Sequence, residues 1–256
     1  MEIIVLGCWA PYPKGGGACS GYLLRAGGLN ILLEAGNGSL SRLREFMDFR
    51  LLDGVIITHL HHDHYLDLFP LRHAVEGARR EGERTGPVKL VVPSFPEQAY
   101  QELVGYKDAY EVTAIESLAG ETLDSGLQVQ RLDWANLVFH FASARHSVPA
   151  YSVAVQGEGR FVFSGDTART ENIARLAAGA DLFLCEASGL DSDAQYLRDS
   201  HLTARQAGEI AGQAGVKHLL LTHFWPEYEP AELCRQATDG FGKPALAAVE
   251  REIYQV

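Results

Sequence analysis

Metal-ligand side chains are concentrated in one short segment. The side chains of His59, His61, Asp63 and His64 fall within six residues and follow the apolar run 54–57. Imidazole nitrogen and carboxylate oxygen are ligands that zinc binds at about 2.0–2.2 Å. Residues two apart in an extended segment point the same way, so His59 and His61 are placed to bind one ion together. A turn after His61 would direct Asp63 and His64 to a second ion, and two ions can clamp the attacking and leaving oxygens of a hydrolysis.

The spacing of these residues resembles the His-x-His-x-Asp-His signature of the metallo-β-lactamase superfamily. That resemblance implies three further ligands downstream and a division of all seven between two divalent ions, with zinc favoured. The implied sets are His59, His61 and His146 for the first ion, Asp63, His64 and His223 for the second, and Asp166 as the bridge. A hydroxide between the ions would be the nucleophile, because bound metal lowers the pKa of water toward ~7.

The local sequence supports the three downstream positions. His146 follows a predicted strand and precedes Pro149, which cannot continue a ladder. Asp166 follows the apolar run 161–163 and a glycine, where a lone buried carboxylate would be costly without a metal. His223 ends the apolar run 219–221 in the same way. The remaining histidines with predicted structural or outward-facing roles are His62, His73, His140 and His218.

A second pair of residues indicates the type of reaction. Thr203 and Gln206 form a capping-box pattern, and apolar residues then recur at helical spacing over 204–214. His201 is therefore predicted just before a helix N-terminus, where anionic groups bind well. This block is similar to that of the ribonuclease Z-like phosphodiesterases. The resemblance implies that His201 assists the leaving group and that Glu186 orients and charges its imidazole.

A phosphodiester needs such a pair because its leaving alkoxide is strongly basic. A positioned general acid contributes about 10²–10⁴-fold to the rate, and a carboxylate on the other imidazole nitrogen fixes the ring. The predicted catalytic residues are Asp63, His201 and Glu186, of which Asp63 is also a predicted ligand. The predicted function is a phosphodiesterase that acts on a small or cyclic phosphodiester.

The chain departs from the tRNA-processing members of that branch. Only the 19 residues 147–165 separate His146 from Asp166, whereas those members carry there a long basic arm that grips tRNA. The net charge is −11, and long nucleic acids usually require a basic footprint. A small-molecule substrate is therefore favoured over tRNA 3′-processing. Glu34 stands where relatives usually have Asp, which we interpret as a structural change and not a lost catalyst.

Other functions remain open from the sequence. A thioester or lactone hydrolase of the same superfamily would have a better leaving group and would not need the pair of His201 and Glu186. Redox di-iron relatives usually carry glutamate where this chain has His61, and an all-histidine first site suits zinc, with manganese or iron as alternatives. A non-catalytic scaffold is disfavoured because all seven predicted ligands are present. A β-lactamase is disfavoured because no cysteine occupies a plausible ligand position.

The elements that must position these residues alternate along the chain. Short strands are predicted at 3–6, 21–24, 30–33, 55–57 and 88–92, four more follow between 127 and 163, and helices alternate with strands from 171 to 221. A helix at 40–49 is predicted with Asn37 and Ser39 as candidate caps. Mixed sheets covered by helices fit this order. The predicted fold is α/β (α+β), a four-layer αββα sandwich of the metallo-β-lactamase type.

Composition limits the remaining expectations. The chain has 256 residues, 46% hydrophobic and 21% charged, which suits one hydrolase domain over 1–256. No apolar run approaches the ~20 residues of a membrane span, and neither a signal peptide nor a membrane partner is expected. Four separated cysteines predict reduced thiols and a cytoplasmic location. A homodimer is expected from relatives, and aromatic rings in 9–17 and 224–228 could stack on a substrate ring or serve as core or lid.

Overall fold

A computed structural model describes residues 1–256 and shows two mixed sheets. The first sheet contains β1 (Glu2–Gly7), β2 (Gly21–Ala26), β3 (Leu29–Ala35), β4 (Gly54–Ile56), β5 (Val88–Val92), β6 (Tyr110–Ala114) and β15 (Ile253–Gln255). The second sheet contains β7 (Ala119–Thr122), β8 (Gln128–Trp134), β9 (Leu137–Ser143), β10 (Tyr151–Gln156), β11 (Arg160–Phe163), β12 (Leu182–Glu186), β13 (His218–Thr222) and β14 (Ala245–Ala247). The helices are α1 (Ser39–Phe46), α2 (His62–Tyr65), α3 (Leu68–Arg80), α4 (Glu97–Gly105), α5 (Glu171–Leu176), α6 (Ala194–Leu197), α7 (Ala204–Ala214) and α8 (Pro230–Phe241).

Each sheet combines an antiparallel half with a parallel half. The first sheet has the order β15-β1-β2-β3-β4-β5-β6, in which the pairs from β3 to β6 are parallel. The second has the order β14-β13-β12-β11-β10-β9-β8-β7, in which the pairs from β11 to β14 are parallel. The carboxyl ends of neighbouring parallel strands lie at one edge of a sheet, where polar loops can collect side chains for a site.

The apolar residues form two layers of core. Ile3 and Val5 of β1 lie in the core between the sheets, whereas Ile4 and Leu6 lie in the core beneath α1 and α3. This alternation follows from the period of two in a strand, and it shows that the first sheet is covered on both faces. Helices α5, α7 and α8 cover the other face of the second sheet. The predicted four-layer αββα sandwich is therefore confirmed.

The caps predicted for the first helix were wrong. Helix α1 begins at Ser39 after Gly38, which adopts a left-handed conformation (φ 91°) and makes no side-chain capping bond. The backbone N–H of Leu40 instead donates to the carboxylate of Asp67 at 2.8 Å. Because Asp67 lies 27 residues further along the chain, a tertiary contact supplies the acceptor that a local cap was expected to provide. The helix is also shorter than predicted, since a 3-10 turn follows at Phe49–Leu51.

The helix that follows His201 was predicted correctly. Helix α7 spans Ala204–Ala214, and the Thr203 side chain accepts from the N–H of Gln206 while the Gln206 side chain accepts from the N–H of Thr203. This reciprocal capping fixes the point at which the preceding loop ends. None of the helices combines the length and the apolar composition needed to span a bilayer. All four cysteines are free thiols, as expected.

Candidate metal centre

The predicted site residues converge where strand ends of the two sheets meet. His59, His61, Asp63 and His64 follow β4 of the first sheet, while His146, Asp166 and His223 follow β9, β11 and β13 of the second. Asp63 and His64 lie on α2, which begins directly after His61 and supplies the predicted turn. Their donor atoms, with those of His201, fall into overlapping groups whose members lie within 4.8 Å of one another.

The first group contains three histidines predicted to share an ion. His61 Nδ1 lies 3.2 Å from His59 Nε2 and 3.0 Å from His146 Nε2. The edge of a tetrahedron around zinc with nitrogen at 2.0–2.1 Å is about 3.3 Å long. The three nitrogens are therefore spaced as neighbouring ligands of one ion require.

The second group contains Asp63, His64 and His223. The Nε2 atoms of His64 and His223 lie 3.2 Å apart, and Asp63 Oδ2 lies 3.5 Å from the first and 3.8 Å from the second. A carboxylate and two imidazoles form a donor set suited to a divalent ion.

Asp166 touches both groups and is buried between them. Its Oδ2 lies 3.5 Å from His59 Nε2 and 3.5 Å from His64 Nε2, and its Oδ1 lies 3.1 Å from His223 Nε2. These distances fit the predicted bridging carboxylate. The imidazole nitrogens and carboxylate oxygens of this cluster face one another mainly with lone pairs. Burying such groups together without a partner is costly, so the donor set fits bound metal ions.

Three imidazoles have a polar partner on the far side that orients the inward nitrogen, and a fourth, that of His64, faces a carboxylate there. His146 Nδ1 donates to the Ser200 carbonyl at 2.8 Å, and His59 Nδ1 lies 3.1 Å from the Thr58 hydroxyl. His223 Nδ1 lies 2.8 Å from Ser188 Oγ. The carboxylate of Glu34 lies 3.5 Å from His64 Nδ1. Such outer contacts fix the tautomer and orientation of metal-binding histidines.

Electrostatics within the cluster divide the histidines into two kinds. Burial lowers the pKa of His59, His61 and His146, which therefore present neutral rings with free lone pairs. Burial also disfavours the charged form of His64, but the carboxylates of Asp166 and Asp63 outweigh it and raise the pKa. Without metal, protonated histidine supplies positive charge that the ions would supply when bound.

The predicted pair of Glu186 and His201 is present beside this cluster. His201 Nδ1 lies 3.2 Å from Glu186 Oε2. Burial opposes protonation of the ring, but the Glu186 carboxylate outweighs it and raises the pKa of His201 to about 9. Glu186 is fully buried and accepts from the N–H groups of Thr167 and Leu202, so the carboxylate itself is held in place.

Ser188 is a site residue that the sequence interpretation missed. Its hydroxyl donates to Glu186 Oε2 at 2.5 Å and lies 2.8 Å from His223 Nδ1 and 3.3 Å from His201 Nδ1. Ser188 follows Glu186 by two residues, and that spacing in an extended segment was the available signal. The hydroxyl joins the carboxylate to both histidines.

Glu34 also has a larger role than was predicted. It is fully buried at the end of β3, where Oε1 accepts from the N–H of Thr58 at 3.0 Å and Oε2 faces His64. Burial raises its pKa, with His64 and Thr58 acting in the opposite direction. The glutamate thus holds the backbone beside His59 by a hydrogen bond and places its second carboxylate oxygen opposite the ring of His64.

A left-handed backbone conformation directs two predicted ligands, Asp166 and His223, toward the site. Gly165, directly before Asp166, has φ 56°, and a Cβ there would lie 2.7 Å from the Tyr151 carbonyl. Only glycine accommodates both the conformation and the contact. His223 itself has φ 59°, a strained conformation of the kind that occurs at functional sites.

The histidines predicted to lie outside the cluster do so. His62 is exposed and stacks on Tyr65 with ring centroids 5.8 Å apart. His73 and His218 are exposed, and His140 lies 3.3 Å from Glu121 on the second sheet.

The cluster opens into a cavity of about 220 Å³. Five predicted site residues line it: His61, Asp63, Asp166, His201 and His223. The remaining lining residues are Ala10, Pro11, Ser188, Tyr196, Leu197, Ser200 and Trp225. A molecule bound here would therefore contact the metal ligands and His201 together.

Comparison with known proteins adds a family relationship to this geometry. A family model described as "Beta-lactamase superfamily domain" matches residues 29–224, a range that contains all seven predicted ligands. The chain is 28% identical to "Probable metallo-hydrolase YhfI" of Bacillus subtilis (strain 168), over 87% of this chain and 86% of that protein. It is 30% identical to "Ribonuclease Z" of Thermobifida fusca (strain YX), over 98% of this chain and 91% of that protein.

Solved structures show the same fold. The crystal structure of the metallo-β-lactamase fold protein YhfI from Bacillus subtilis has a TM-score of 0.88 at 25% identity, over 99% of this chain and 98% of that chain. The short form of human tRNase Z has a TM-score of 0.74 at 19% identity, over 100% and 99%, which shows a likeness of fold alone.

Proposed function

The chain belongs to the β-lactamase superfamily of metallo-hydrolases, and on this premise we propose that it hydrolyses a small or cyclic phosphodiester with two zinc ions. The observation that carries the proposal is the pair of His201 and Glu186, which lies 3.2 Å apart beside the ligand cluster. A thioester expels a weakly basic thiolate that departs without such help, so the pair favours a phosphodiester over a thioester.

His201 acts as the general acid in this proposal. Glu186 holds Nδ1, which leaves Nε2 of the ring to donate a proton to the departing oxygen in the cavity that His201 lines. The raised pKa of about 9 keeps the imidazole protonated at neutral pH. A positioned acid of this kind is worth about 10²–10⁴-fold in rate.

The predicted ligands would hold two divalent ions on either side of Asp166. When bound, the ions would polarise the phosphoryl group and lower the pKa of water toward ~7. Asp63 lines the same cavity, where it would hold an ion and accept a proton from the attacking water. Burial opposes its ionisation, but His64 lowers its pKa, so the carboxylate is available to accept a proton.

A small substrate is supported by the connection between His146 and Asp166. Between these two residues the chain forms only the hairpin of β10 and β11. In this hairpin Val153 pairs with Phe163 at one end and Gln156 pairs with Arg160 at the other. The connection therefore has no room for the basic arm that tRNA-processing relatives were expected to carry. The net charge of −11 also disfavours a polyanionic nucleic acid.

The proposal is tested with zinc-loaded protein and bis(p-nitrophenyl) phosphate. We expect turnover by the wild type and none by Asp166→Ala. For His201→Ala we expect a loss of about 10²–10⁴-fold in kcat on 3′,5′-cyclic AMP, whose leaving group is a basic alkoxide, and a smaller loss on bis(p-nitrophenyl) phosphate, whose nitrophenolate needs little protonation. Inductively coupled plasma analysis should find two zinc ions in the wild type and in His201→Ala.

A thioester and a lactone serve as comparison substrates. Cleavage of either with no turnover of the phosphodiester would overturn the proposed substrate class while leaving the metal site intact. Equal activity of wild type and His201→Ala on the cyclic nucleotide, which has an alkoxide leaving group, would remove the general-acid role.

A further inference from the structure

The cavity above the metal cluster has two chemically different ends. Its inner end is made of ligand side chains and His201. Its outer end is made mainly of the exposed side chains of Pro11, Tyr196 and Trp225, and the buried side chain of Leu197 also lines the cavity. A phosphoryl group at the inner end would therefore leave one of its ester groups against an apolar wall.

Positive charge is confined to the metal end. No lysine or arginine is among the twelve residues that line the cavity, and outside the predicted ligands and His201 its polar side-chain groups are the uncharged hydroxyls of Ser188, Ser200 and Tyr196 and the indole N–H of Trp225. The nearby cation of Arg145 is engaged by Asp199. A second charged group on the substrate, outside the metal cluster, would have to lose hydration without gaining an ionic partner.

Two aromatic side chains stand at the mouth of the cavity with exposed surface. Tyr196 on α6 is 88% exposed and Trp225 is 39% exposed. Trp225 is supported from one side by Tyr12, whose ring centroid lies 5.7 Å away, and Tyr12 donates to Glu227 at 3.0 Å. Exposed aromatic rings on the wall of a ligand cavity are suited to stack on planar groups.

The size of the cavity limits what can be stacked there. A closed apolar cavity of about 150 Å³ binds benzene. The present cavity of about 220 Å³ therefore suits one aromatic ring system together with a phosphoryl group.

We propose that the substrate is a phosphodiester with a single negative charge, one ester group of which carries an uncharged planar aromatic ring that binds against Tyr196 and Trp225. This inference rests on the proposed function, since it places the phosphoryl group at the metal cluster. It adds a specificity site that lies outside the ligands and outside the pair of His201 and Glu186.

Binding of phosphodiesters to the zinc-loaded protein tests this assignment by calorimetry, with His201→Ala as the background throughout so that turnover during the measurement is slow. Diphenyl phosphate and diethyl phosphate have the same charge and differ in the aromatic rings. We expect diphenyl phosphate to bind at least about tenfold more tightly, given the strength of stacking on aromatic side chains. Bis(4-carboxyphenyl) phosphate keeps the rings but adds charge to them, and we expect it to bind at least about tenfold more weakly than diphenyl phosphate.

Variants at the mouth of the cavity supply the second arm. Tyr196→Ala and Trp225→Ala should each weaken diphenyl phosphate binding by about 5–100-fold and leave diethyl phosphate binding unchanged. Tyr196→Phe keeps the ring and should bind like the His201→Ala parent. Leu246→Ala removes an exposed apolar side chain of β14 outside the cavity and is the matched control.

The outcomes separate this inference from the proposed function. Equal binding of diphenyl and diethyl phosphate, or unchanged binding by both alanine variants, overturns the aromatic site even if bis(p-nitrophenyl) phosphate is cleaved. Failure of every phosphodiester to bind, together with absence of turnover, overturns the proposed function and the inference with it. Tyr196 is so exposed that its loss will not unfold the protein, and thermal denaturation of each variant checks this.

Discussion

Ser188 connects the proposed general acid to a predicted metal ligand through one hydroxyl. His223 Nδ1 can donate to Ser188 Oγ, whose own proton is donated to Glu186 Oε2. A single buried carboxylate therefore polarises His223 through the serine and His201 directly. This arrangement makes the serine a positioning residue for both the metal ligand and the acid.

Removing that hydroxyl should reduce activity without unfolding the protein. We expect Ser188→Ala to lower kcat on bis(p-nitrophenyl) phosphate, or zinc affinity, by about 10–100-fold, which is the usual effect of losing an outer partner of a metal ligand. Ser188→Thr retains the hydroxyl and should recover most of the loss. If Ser188→Ala has the same kcat and the same zinc affinity as the wild type, Ser188 does not position either histidine.

Glu34 provides a second test at the level of single residues. Glu34→Gln keeps the shape of the side chain but removes the negative charge that faces His64 Nδ1 at 3.5 Å. We expect zinc affinity, measured by competition with a chromogenic chelator, to fall by about 10–100-fold. The matched control is Glu111→Gln, which changes an exposed glutamate on β6. Equal affinities for the two variants would contradict the role assigned to Glu34.

The seven predicted ligands were accessible from the sequence because they follow apolar strands or fall in one dense motif. Ser188 was not, because a serine in a loop is common and only the folded chain places it against Glu186. The contact between Glu34 and His64 was missed for a related reason. Its significance depends on a distance between β3 and α2 that no local pattern encodes.

At the level of elements, the close approach of α7 and α8 fixes the helix that follows His201. A Cβ added to Gly208 would lie 2.1 Å from the carbonyl oxygen of Ala237. The glycine therefore allows the two backbones to touch, and the helix packing holds the amino end of α7 beside the site.

Gly208→Ala should separate these helices. We expect a loss of about 1–3 kcal/mol in the free energy of unfolding, the usual cost of overpacking, measured by urea denaturation. Gly212→Ala on the same helix is the control, because its Cβ would lie 3.4 Å from its nearest neighbour, and it should be stabilising by up to about 1 kcal/mol. Stabilisation by both variants would mean that helix propensity, and not the close contact at Gly208, is what matters.

The predicted elements were most accurate where the sequence carried its own start signal. Helix α7 has the predicted bounds because Thr203 and Gln206 cap it locally. Helix α1 was predicted with the wrong caps because its acceptor, Asp67, comes from a distant part of the chain. Local patterns therefore located the elements, while the contacts that end some of them arise only in the tertiary structure.

At the level of the whole molecule, the candidate metal ligands come from both sheets. His59, His61, Asp63 and His64 extend from the first sheet, and the other three predicted ligands extend from the second. Ions bound between them would cross-link the layers in the native state only. The four-layer arrangement was predictable from the order of elements, but the closeness of the two edges required the structure.

Removal of zinc should therefore lower thermal stability. A ligand that binds only the native state contributes about 4 kcal/mol at a concentration of 1,000 times Kd, which corresponds to a rise of about 10 °C in Tm for a chain of this size. We expect differential scanning calorimetry to show a drop of that order after dialysis against a chelator, reversed by added zinc. Asp166→Ala lacks the bridging carboxylate, so its Tm should respond much less to zinc. A Tm that is the same with and without zinc in the wild type would mean that the ions do not hold the two sheets together, because a native-state cross-link must appear in the unfolding equilibrium.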